Sequence, residues 1–263
     1  MGEPYRADYR GPVFHFFWPL TRYLTVHLTV LVLGAVFYVL NRATVIGRRN
    51  VPRERNTLLL SNHQSMIDSF LVGTAAYFGP ATLKPWLIPW NPAAQENFFR
   101  NPFLAWWADN WKCIPVKAGR RDNRALHRMI RASKRGTMIL FPEGTRSRDG
   151  TIRHGKPGAG LVILANHPQV VPVTIDGLHD VLPVGSKFPR FFKRIWLAFG
   201  KPIDYSEYIG LPRSKVTAQA IVDEVVAVLR HQLEGLRRLQ AREITRRQFE
   251  RQYLNRDPEE EQS

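Results

Sequence analysis

The sequence predicts an α/β fold in which a mixed β-sheet is flanked by helices, preceded by a hydrophobic N-terminal helix or helical hairpin that anchors the chain to a membrane. Beyond residue 42, short apolar, β-branched segments alternate with segments of helical periodicity, as in α/β domains. Before them lies an apolar run near the minimum length for crossing a bilayer. With 263 residues, 44% of them hydrophobic, the chain is long enough for one good-sized domain with its own core.

Residues 1–42 are predicted to form a membrane-associated helical segment. Its centre runs from Tyr23 to Leu40, 18 residues that carry no formal charge if His27 is neutral. An aromatic-rich stretch, "VFHFFWPL", precedes it, and a break at Pro19 would fold the two stretches into a hairpin within one leaflet. The alternative is a single spanning helix, or a helix buried in the protein core.

Arginines crowd the far side of this apolar segment. The cytoplasmic flanks of membrane segments carry excess positive charge. These arginines therefore predict that the following domain lies on the cytoplasmic face. These residues are Arg42, Arg48, Arg49, Arg53 and Arg55.

The next domain, residues 43–212, is predicted to contain six short strands. Their sequences are "ATVIG", "NTLLLS", "CIPV", "TMILF", "VVPVTI" and "RIWLAFG". The clearest helix between them begins after a candidate N-cap, Asp122, and stops at Gly136. Strands and helices in this alternation predict a mixed α/β domain.

Residues 213–254 are predicted to form one C-terminal basic helix, from about Ser214 to Leu254. Its first half sets valines and leucines at helical spacing, whereas its second half is rich in arginine. That second half either lies on anionic lipid or forms an ordinary solvated face. The acidic tail, residues 255–263, is predicted to be disordered.

The charge balance predicts an anionic partner. Lysine and arginine total 38 against 22 acidic residues, giving a formal charge of +16. Nucleic acid, an anionic membrane or a phosphorylated substrate would each complement that charge. No zinc spacing, P-loop or RNA-binding signature is present, so nucleic acid is not the expected partner. A non-catalytic, basic lipid- or nucleic-acid-binding protein remains the alternative from another functional class.

The single cysteine, Cys113, excludes an internal disulfide framework and any site built on several cysteines. Nothing in the sequence therefore requires an oxidising compartment. Within "KCIPV", Cys113 is expected to be a strand residue rather than a nucleophile.

The stretch "LLLSNHQSMIDSF" places a titratable pair directly after a predicted strand. On one regular helix His63 and Asp68 would lie about 140° apart, so they can meet only across a turn between strand and helix. A carboxylate on one imidazole nitrogen fixes the tautomer and raises the basicity of the other, which makes a general base. The alternative is that both residues merely cap a turn.

A second polar loop follows another predicted strand, in "MILFPEGTRSRDG". Gly144 permits close backbone approach, Thr145 and Arg146 suit phosphate oxygens, and Glu143 suits a hydroxyl or a basic group. Downstream, Lys156 precedes a predicted helix start, another candidate anion site. Two such loops in a basic, membrane-anchored chain indicate chemistry on a lipid phosphate.

These loops resemble the hallmarks of the glycerophospholipid acyltransferase family. "NHQSMID" resembles the family's NHx4D motif, "FPEGTRS" its second motif, and "VVPV" a later proline-containing strand. The resemblance extends from about Ala43 to Pro202. It implies transfer of a fatty acyl group from a thioester to the free hydroxyl of a lysophospholipid, most often lysophosphatidic acid giving phosphatidic acid.

The resemblance also implies roles for individual residues. His63 would be the general base and Asp68 its orienting partner, with direct transfer favoured over an acyl-enzyme on Ser65. No metal or bound cofactor is implied, because acyl-coenzyme A or acyl carrier protein serves as the co-substrate. The predicted substrate-binding residues are Asn62, Ser65, Gln95, Arg120, Arg121, Glu143, Gly144, Thr145, Arg146 and Lys156.

Two departures from the family pattern leave a second interpretation open. Gln95 stands where many members have a lysine that steadies the oxyanion, so its amide, a backbone N–H or Lys84 would have to substitute. The usual phosphate-binding arginine is displaced to Arg120 or Arg121. "SNHQSMID", "PWNPAAQE" and "KCIPV" together are similar to tafazzin-like members, which move acyl chains between phospholipids and lysophospholipids without coenzyme A.

Overall fold

The computed structural model describes residues 10–117 and 122–254. Its strands are β1 Ala43–Ile46, β2 Thr57–Ser61, β3 Asn91–Ala94, β4 Cys113–Val116, β5 Thr137–Leu140, β6 Gln169–Asp176 and β7 Ile195–Phe199. Its α-helices are α1 Pro12–Gly34, α2 Asp68–Tyr77, α3 Pro80–Leu83, α4 Gln95–Phe98, α5 Pro102–Asn110, α6 Asn123–Ser133, α7 Gly158–Asn166, α8 Leu178–Val181, α9 Lys215–Gln240 and α10 Arg246–Phe249. The predicted acidic tail, residues 255–263, lies outside the described residues.

A five-stranded sheet in the order β1-β7-β6-β2-β5 forms the centre of the domain. β6 and β7 are antiparallel, whereas the other neighbouring pairs are parallel, so the predicted mixed sheet is confirmed. β2 is central and buried along its whole length, which explains its continuous apolar run. Leu59 packs into the core on one face of the sheet, and Leu58 and Leu60 pack into the core on the other.

One predicted strand pairs differently from the rest. β4, the "CIPV" segment, pairs in parallel with β3 in a separate two-stranded sheet. β3 was not predicted from the sequence, because "NPAA" contains a proline and two alanines, residues that are depleted in strands. A bridge between Trp90 and Met138 connects this small sheet to the central one.

The N-terminal segment is one continuous helix, not the hairpin considered from the sequence. α1 passes through Pro19 and runs on as a π-helix, Ala35–Leu40. Within the described part of the chain, Pro12–Leu40 is the one helix long and apolar enough to cross a membrane, judged by length and composition. Pro19 only removes one backbone donor, and the neighbouring Trp18 is buried and donates to the Asp109 carbonyl, so the first turns stay in place.

One side of α1 packs along the domain. Thr21 bonds to Asn110 at 2.8 Å, and the Thr29 hydroxyl accepts from the indoles of Trp107 and Trp111. The opposite side exposes large apolar residues, among them Phe16, Leu20, Leu24, Leu28 and Leu31.

The C-terminal segment is not one helix as predicted. α9 ends at Gln240, and Arg242 adopts a left-handed φ of 62° that turns the chain back. α10 then begins behind a Thr245 capping box and continues as a π-helix, Glu250–Leu254. Phe249, Tyr253 and Leu254 complete a small core beside Ile46 and Leu236. The apolar residues of this segment are therefore needed inside the fold, which an extended helix would not allow.

The helix predicted after Asp122 is confirmed as α6. The Asp122 side chain accepts from the Ala125 amide, as an N-cap residue should, and the helix ends three residues before Gly136.

Candidate active site

His63 and Asp68 meet across the turn between β2 and α2. β2 ends at Ser61, α2 begins at Asp68, and the intervening loop brings His63 Nδ1 to 2.6 Å from Asp68 Oδ2. A carboxylate can only accept, so Nδ1 carries the proton and Nε2 remains available as a base. The predicted geometry is thus present in the structure.

The Asp68 carboxylate also fixes the loop that carries His63. The same Oδ2 accepts from the backbone amides of Gln64 and Ser65, at 2.6 and 2.9 Å. The Asp68 side chain is fully buried, whereas the His63 side chain retains 20% of its exposure. The carboxylate is therefore held rigidly, and the imidazole reaches the protein surface.

His63 lies on the wall of a mainly apolar cavity of about 630 Å³. Its ring stacks on Phe141, with centroids 4.1 Å apart and planes 15° from parallel. This stacking contact limits rotation of the imidazole. The apolar lining includes Ala93, Leu126, Met129, Leu140 and Leu161.

Glu143 joins the second polar loop to the first. Its Oε1 accepts from the His63 amide at 2.9 Å, and its Oε2 accepts from the Arg153 amide at 3.0 Å. The Ser147 amide returns a bond to the His63 carbonyl at 2.7 Å. Burial raises the pKa of Glu143, and the two amide donors act in the opposite direction. In this geometry Glu143 positions the loops, and its predicted contact with the acceptor stays a prediction.

Gly144 adopts a left-handed φ of 64° and brings the loop close to Lys156. A Cβ at Gly144 would lie 3.3 Å from Lys156 Nζ. Both residues line the cavity together with His63. The structure therefore brings these three predicted site residues together.

Asn62 and Ser65 lie inside the protein rather than on the cavity wall. The Asn62 amide pairs with the backbone of Ile175 through both of its polar atoms, at 2.9 and 2.7 Å. The Ser65 hydroxyl is buried and donates to the Leu182 carbonyl at 2.9 Å. This geometry argues against their predicted roles in substrate binding and against Ser65 as a nucleophile.

The other residues predicted to bind substrate do not lie together on the cavity wall. Gln95 is exposed at the start of α4, directly after the lining residue Ala94. Thr145 is exposed and Arg146 is half-buried in the second loop, and neither lines the cavity. Arg120 and Arg121 lie outside the described residues. The apolar segment from Leu83 to Trp111 contributes only residues of β3 to the described lining of this cavity.

Cys113 is buried in β4, and burial raises its thiol pKa to about 12. A thiol in that state is not a nucleophile near neutral pH.

Three residues of the site were missed from the sequence. Gln64 accepts from the Leu178 amide and so fixes the turn after β6 against the loop that carries His63. Phe141 supports the imidazole, and Lys215 reaches the cavity from the start of α9. Only Phe141 had a sequence signal, its position between a strand and the second loop; the other two depend on contacts between distant segments.

A family model described as acyltransferase matches residues 42–176, just over half of the chain and both polar loops. The chain is 27% identical over 211 residues to a 1-acyl-sn-glycerol-3-phosphate acyltransferase of Arabidopsis thaliana, covering 78% of this chain and 51% of that protein. It is 30% identical over 163 residues to an N-acylphosphatidylethanolamine synthase of the same plant, covering 56% of each. The chain thus spans about half the length of the curated relatives it matches.

Among solved structures, the chain resembles the 1-acyl-sn-glycerophosphate acyltransferase PlsC from Thermotoga maritima. The TM-score is 0.59 at 22% identity, over 80% of both chains, which shows a shared fold. The matched family region contains His63, Asp68 and Glu143, the three side chains that join the two loops. On these grounds, the chain belongs to the acyltransferase family.

Proposed function

We propose that this protein transfers a fatty acyl group from a thioester to the free hydroxyl of a lysophospholipid, with lysophosphatidic acid as acceptor and phosphatidic acid as product. The observation that carries the proposal is the hydrogen-bonded pair of His63 and Asp68 on the wall of an apolar cavity. Family membership and the names of several relatives support it.

In the proposed reaction, His63 Nε2 takes the proton of the acceptor hydroxyl as that oxygen attacks the thioester carbonyl. The positively charged imidazolium is stabilised by the buried Asp68 carboxylate, 2.6 Å from Nδ1. Collapse of the tetrahedral intermediate breaks the carbon–sulfur bond, and the leaving thiolate takes the proton from His63. An ester and a free thiol are formed, and the imidazole is neutral again.

The residues around His63 hold its imidazole in place for the proposed proton transfers. Phe141 and Asp68 hold the ring on two sides, and Glu143 holds the His63 backbone. An imidazole held in this way needs little reorganisation before the attack. The donor for the oxyanion remains a prediction, with Gln95 as the candidate that adjoins the lining residue Ala94.

The apolar part of the cavity would accommodate an acyl chain. Leu126 and Met129 of α6, Leu140 of β5 and Leu161 of α7 line one continuous space with His63. An acyl chain bound there would be shielded from water while its carbonyl stays beside the base.

Membrane association through α1 is part of the proposal. The exposed apolar side of α1 includes Leu24, Leu28 and Leu31, and Phe103 of α5 is exposed nearby on the helix that packs against α1. Because the opposite side of α1 bonds to the domain along its length, shallow insertion fits better than a free spanning segment. The arginines that follow α1 favour the cytoplasmic face for the domain.

Two other acyl transfers are the alternatives. Tafazzin-like transacylation would use an intact phospholipid as donor. The second alternative is acyl transfer to an amine, which the name of the relative N-acylphosphatidylethanolamine synthase indicates. Both would use the same base, so the donor and the acceptor must be varied separately.

The test uses the purified full-length protein in detergent, with His63→Ala as control. Lysophosphatidic acid, lysophosphatidylcholine, lysocardiolipin and phosphatidylethanolamine are each offered with acyl-coenzyme A, acyl carrier protein thioester or intact phosphatidylcholine. We expect His63-dependent phosphatidic acid from a thioester donor. Product only from intact phosphatidylcholine would support transacylation, product only from phosphatidylethanolamine would support the amine acceptor, and no His63-dependent product would refute acyl transfer.

A further inference from the structure

Lys215 brings a positive charge to the cavity from a part of the chain outside the two polar loops. It is the first residue of α9, it is exposed, and it lines the same cavity as His63 and Lys156. The family match ends at residue 176, so Lys215 lies beyond it. Neither the motifs nor the matched region accounts for this lysine.

Close packing between α7 and α9 fixes the position of Lys215. A Cβ on Gly160 of α7 would lie 2.0 Å from the Ala218 carbonyl oxygen, so the two helices touch at their backbones. Gly155, beside Lys156, also packs closely against α9. A Cβ on Gly155 would lie 2.2 Å from Val222 Cγ1. The starts of both helices are therefore held against each other, and both contribute residues to the lining of the cavity.

A lysine is an unfavourable choice for helix stability at this position. The N-terminus of a helix carries partial positive charge, which favours acidic residues and disfavours cations. The first turn of α9 contains no acidic residue, and the Ser214 side chain caps the Thr217 amide. No carboxylate of the described residues lies within ion-pair distance of Lys215. Its charge thus costs some stability without a compensating contact inside the protein.

The other charged groups of the cavity do not cancel that charge. Lys117 and Lys156 also line it, and Lys156 Nζ lies against Gly144. Asp122 is the one carboxylate among the described lining residues, and its two oxygens accept from the amides of Lys117 and Ala125. The described lining of the cavity that His63 shares therefore carries a net positive charge.

We propose that Lys215, together with Lys156, binds the phosphomonoester of the acceptor and so determines the head group that the enzyme accepts. This inference rests on the proposed function. A phosphomonoester carries roughly 1.5 to 2 negative charges at pH 7, whereas a phosphodiester carries about one. Two ammonium groups in the lining of one cavity would favour the monoester, and the phosphate bound by them would hold the acceptor hydroxyl in the cavity that His63 lines.

The first test compares Lys215→Ala with wild type in acyl transfer to three acceptors, with one thioester donor. The acceptors are lysophosphatidic acid, lysophosphatidylglycerol and lysophosphatidylcholine. We expect KM for lysophosphatidic acid to rise about tenfold, because a charge-assisted bond to phosphate is lost, with kcat changed little and the other two acceptors scarcely affected. An equal change for all three acceptors, or no change for any, would refute the proposal.

The second test does not depend on turnover and uses Lys215→Glu, with Lys187→Glu as the matched control. Lys187 is exposed, does not line the cavity, and undergoes the same change of charge. We expect Lys215→Glu without ligand to melt no lower than wild type, because an acid suits the helix start. Glycerol 3-phosphate should raise the Tm of wild type and of Lys187→Glu but not of Lys215→Glu.

The two tests separate failure of this inference from failure of the proposed function. A glycerol 3-phosphate effect that needs Lys215 would support the phosphate site even if no acyl transfer occurs. An equal effect in all three proteins, or none in wild type, would refute the site even if acyl transfer to lysophosphatidic acid is observed.

Discussion

The Asp68 carboxylate lies 2.6 Å from Nδ1 of His63 and uses the same oxygen to hold two backbone amides of the loop between them. One buried acid thus fixes the ring tautomer and the loop. Asp68→Asn should leave the fold intact but lower kcat roughly 10²- to 10⁴-fold, because the imidazolium loses its counter-charge and the tautomer is no longer dictated. Steady-state kinetics and a circular dichroism spectrum check this. Activity within a few fold of wild type would contradict a base oriented by Asp68.

Ser65→Ala tests direct transfer. The Ser65 hydroxyl is buried and donates to the Leu182 carbonyl, away from the cavity. Its removal should lower the free energy of unfolding by about 1 to 3 kcal/mol, because that carbonyl loses its donor, and should leave kcat within a few fold. Chemical denaturation and steady-state kinetics measure the two effects. A loss as large as that of His63→Ala would instead indicate an acyl-enzyme on Ser65.

Glu143→Gln should lower kcat/KM about tenfold or more. A glutamine offers one acceptor oxygen where the carboxylate satisfies the amides of His63 and Arg153, so one of the two loops is released. Glu143→Asp keeps the charge but shortens the side chain, and it should recover little activity. Unchanged kinetics in Glu143→Gln would show that the bridge does not position the base.

Glu143→Gln should also change how the free energy of unfolding depends on pH. Because burial raises the pKa of Glu143 in the folded protein, folding favours its protonated form. The resulting stabilisation is present below the unfolded pKa and is lost as the pH rises through the higher folded pKa. The free energy of unfolding of wild type minus that of Glu143→Gln should therefore be larger at pH 4 than at pH 7, as measured by urea denaturation. A difference that grows with pH would contradict this sign.

Cys113 should resist alkylation in the native protein. With a pKa of about 12 and little exposure, its thiol is protonated and inaccessible near neutral pH. We expect N-ethylmaleimide at pH 7.5 to leave activity and mass unchanged, and to add one label once the chain is denatured, since the sequence has one cysteine. Rapid labelling with loss of activity under native conditions would contradict the buried position.

Acidic substitutions on the outer side of α1 should weaken membrane binding. Leu24→Glu combined with Leu28→Glu should reduce partitioning onto phosphatidylglycerol vesicles by at least about tenfold, since each buried leucine contributes roughly 1.5 to 3 kcal/mol. Vesicle co-sedimentation measures this. Leu211→Glu, an exposed apolar position remote in sequence from α1, is the control. Equal partitioning of both variants and wild type would mean that α1 is not the membrane contact.

Much of the fold could be predicted from local patterns. Continuous apolar runs predict β2, β5 and β6 because these strands are buried along nearly their whole length, and Asp122 marks the start of α6 because an N-cap satisfies a backbone donor. Of the two N-terminal alternatives the helix is present and the hairpin at Pro19 is not, and the prediction of one long C-terminal helix was wrong. Both outcomes arise because burial of Trp18, and of Phe249 with Tyr253, overrides local propensity.

The sequence by itself determined the strand-end positions of His63 and of Glu143, because apolar runs give way to polar loops at both points. It also determined the family, since both motifs lie within short continuous stretches. Only the tertiary structure decided that Asn62 and Ser65 point inward, that Glu143 holds the His63 backbone, and that Lys215 reaches the cavity. Each of these depends on contacts between residues far apart in the chain, and such contacts leave no periodic signal in either segment alone.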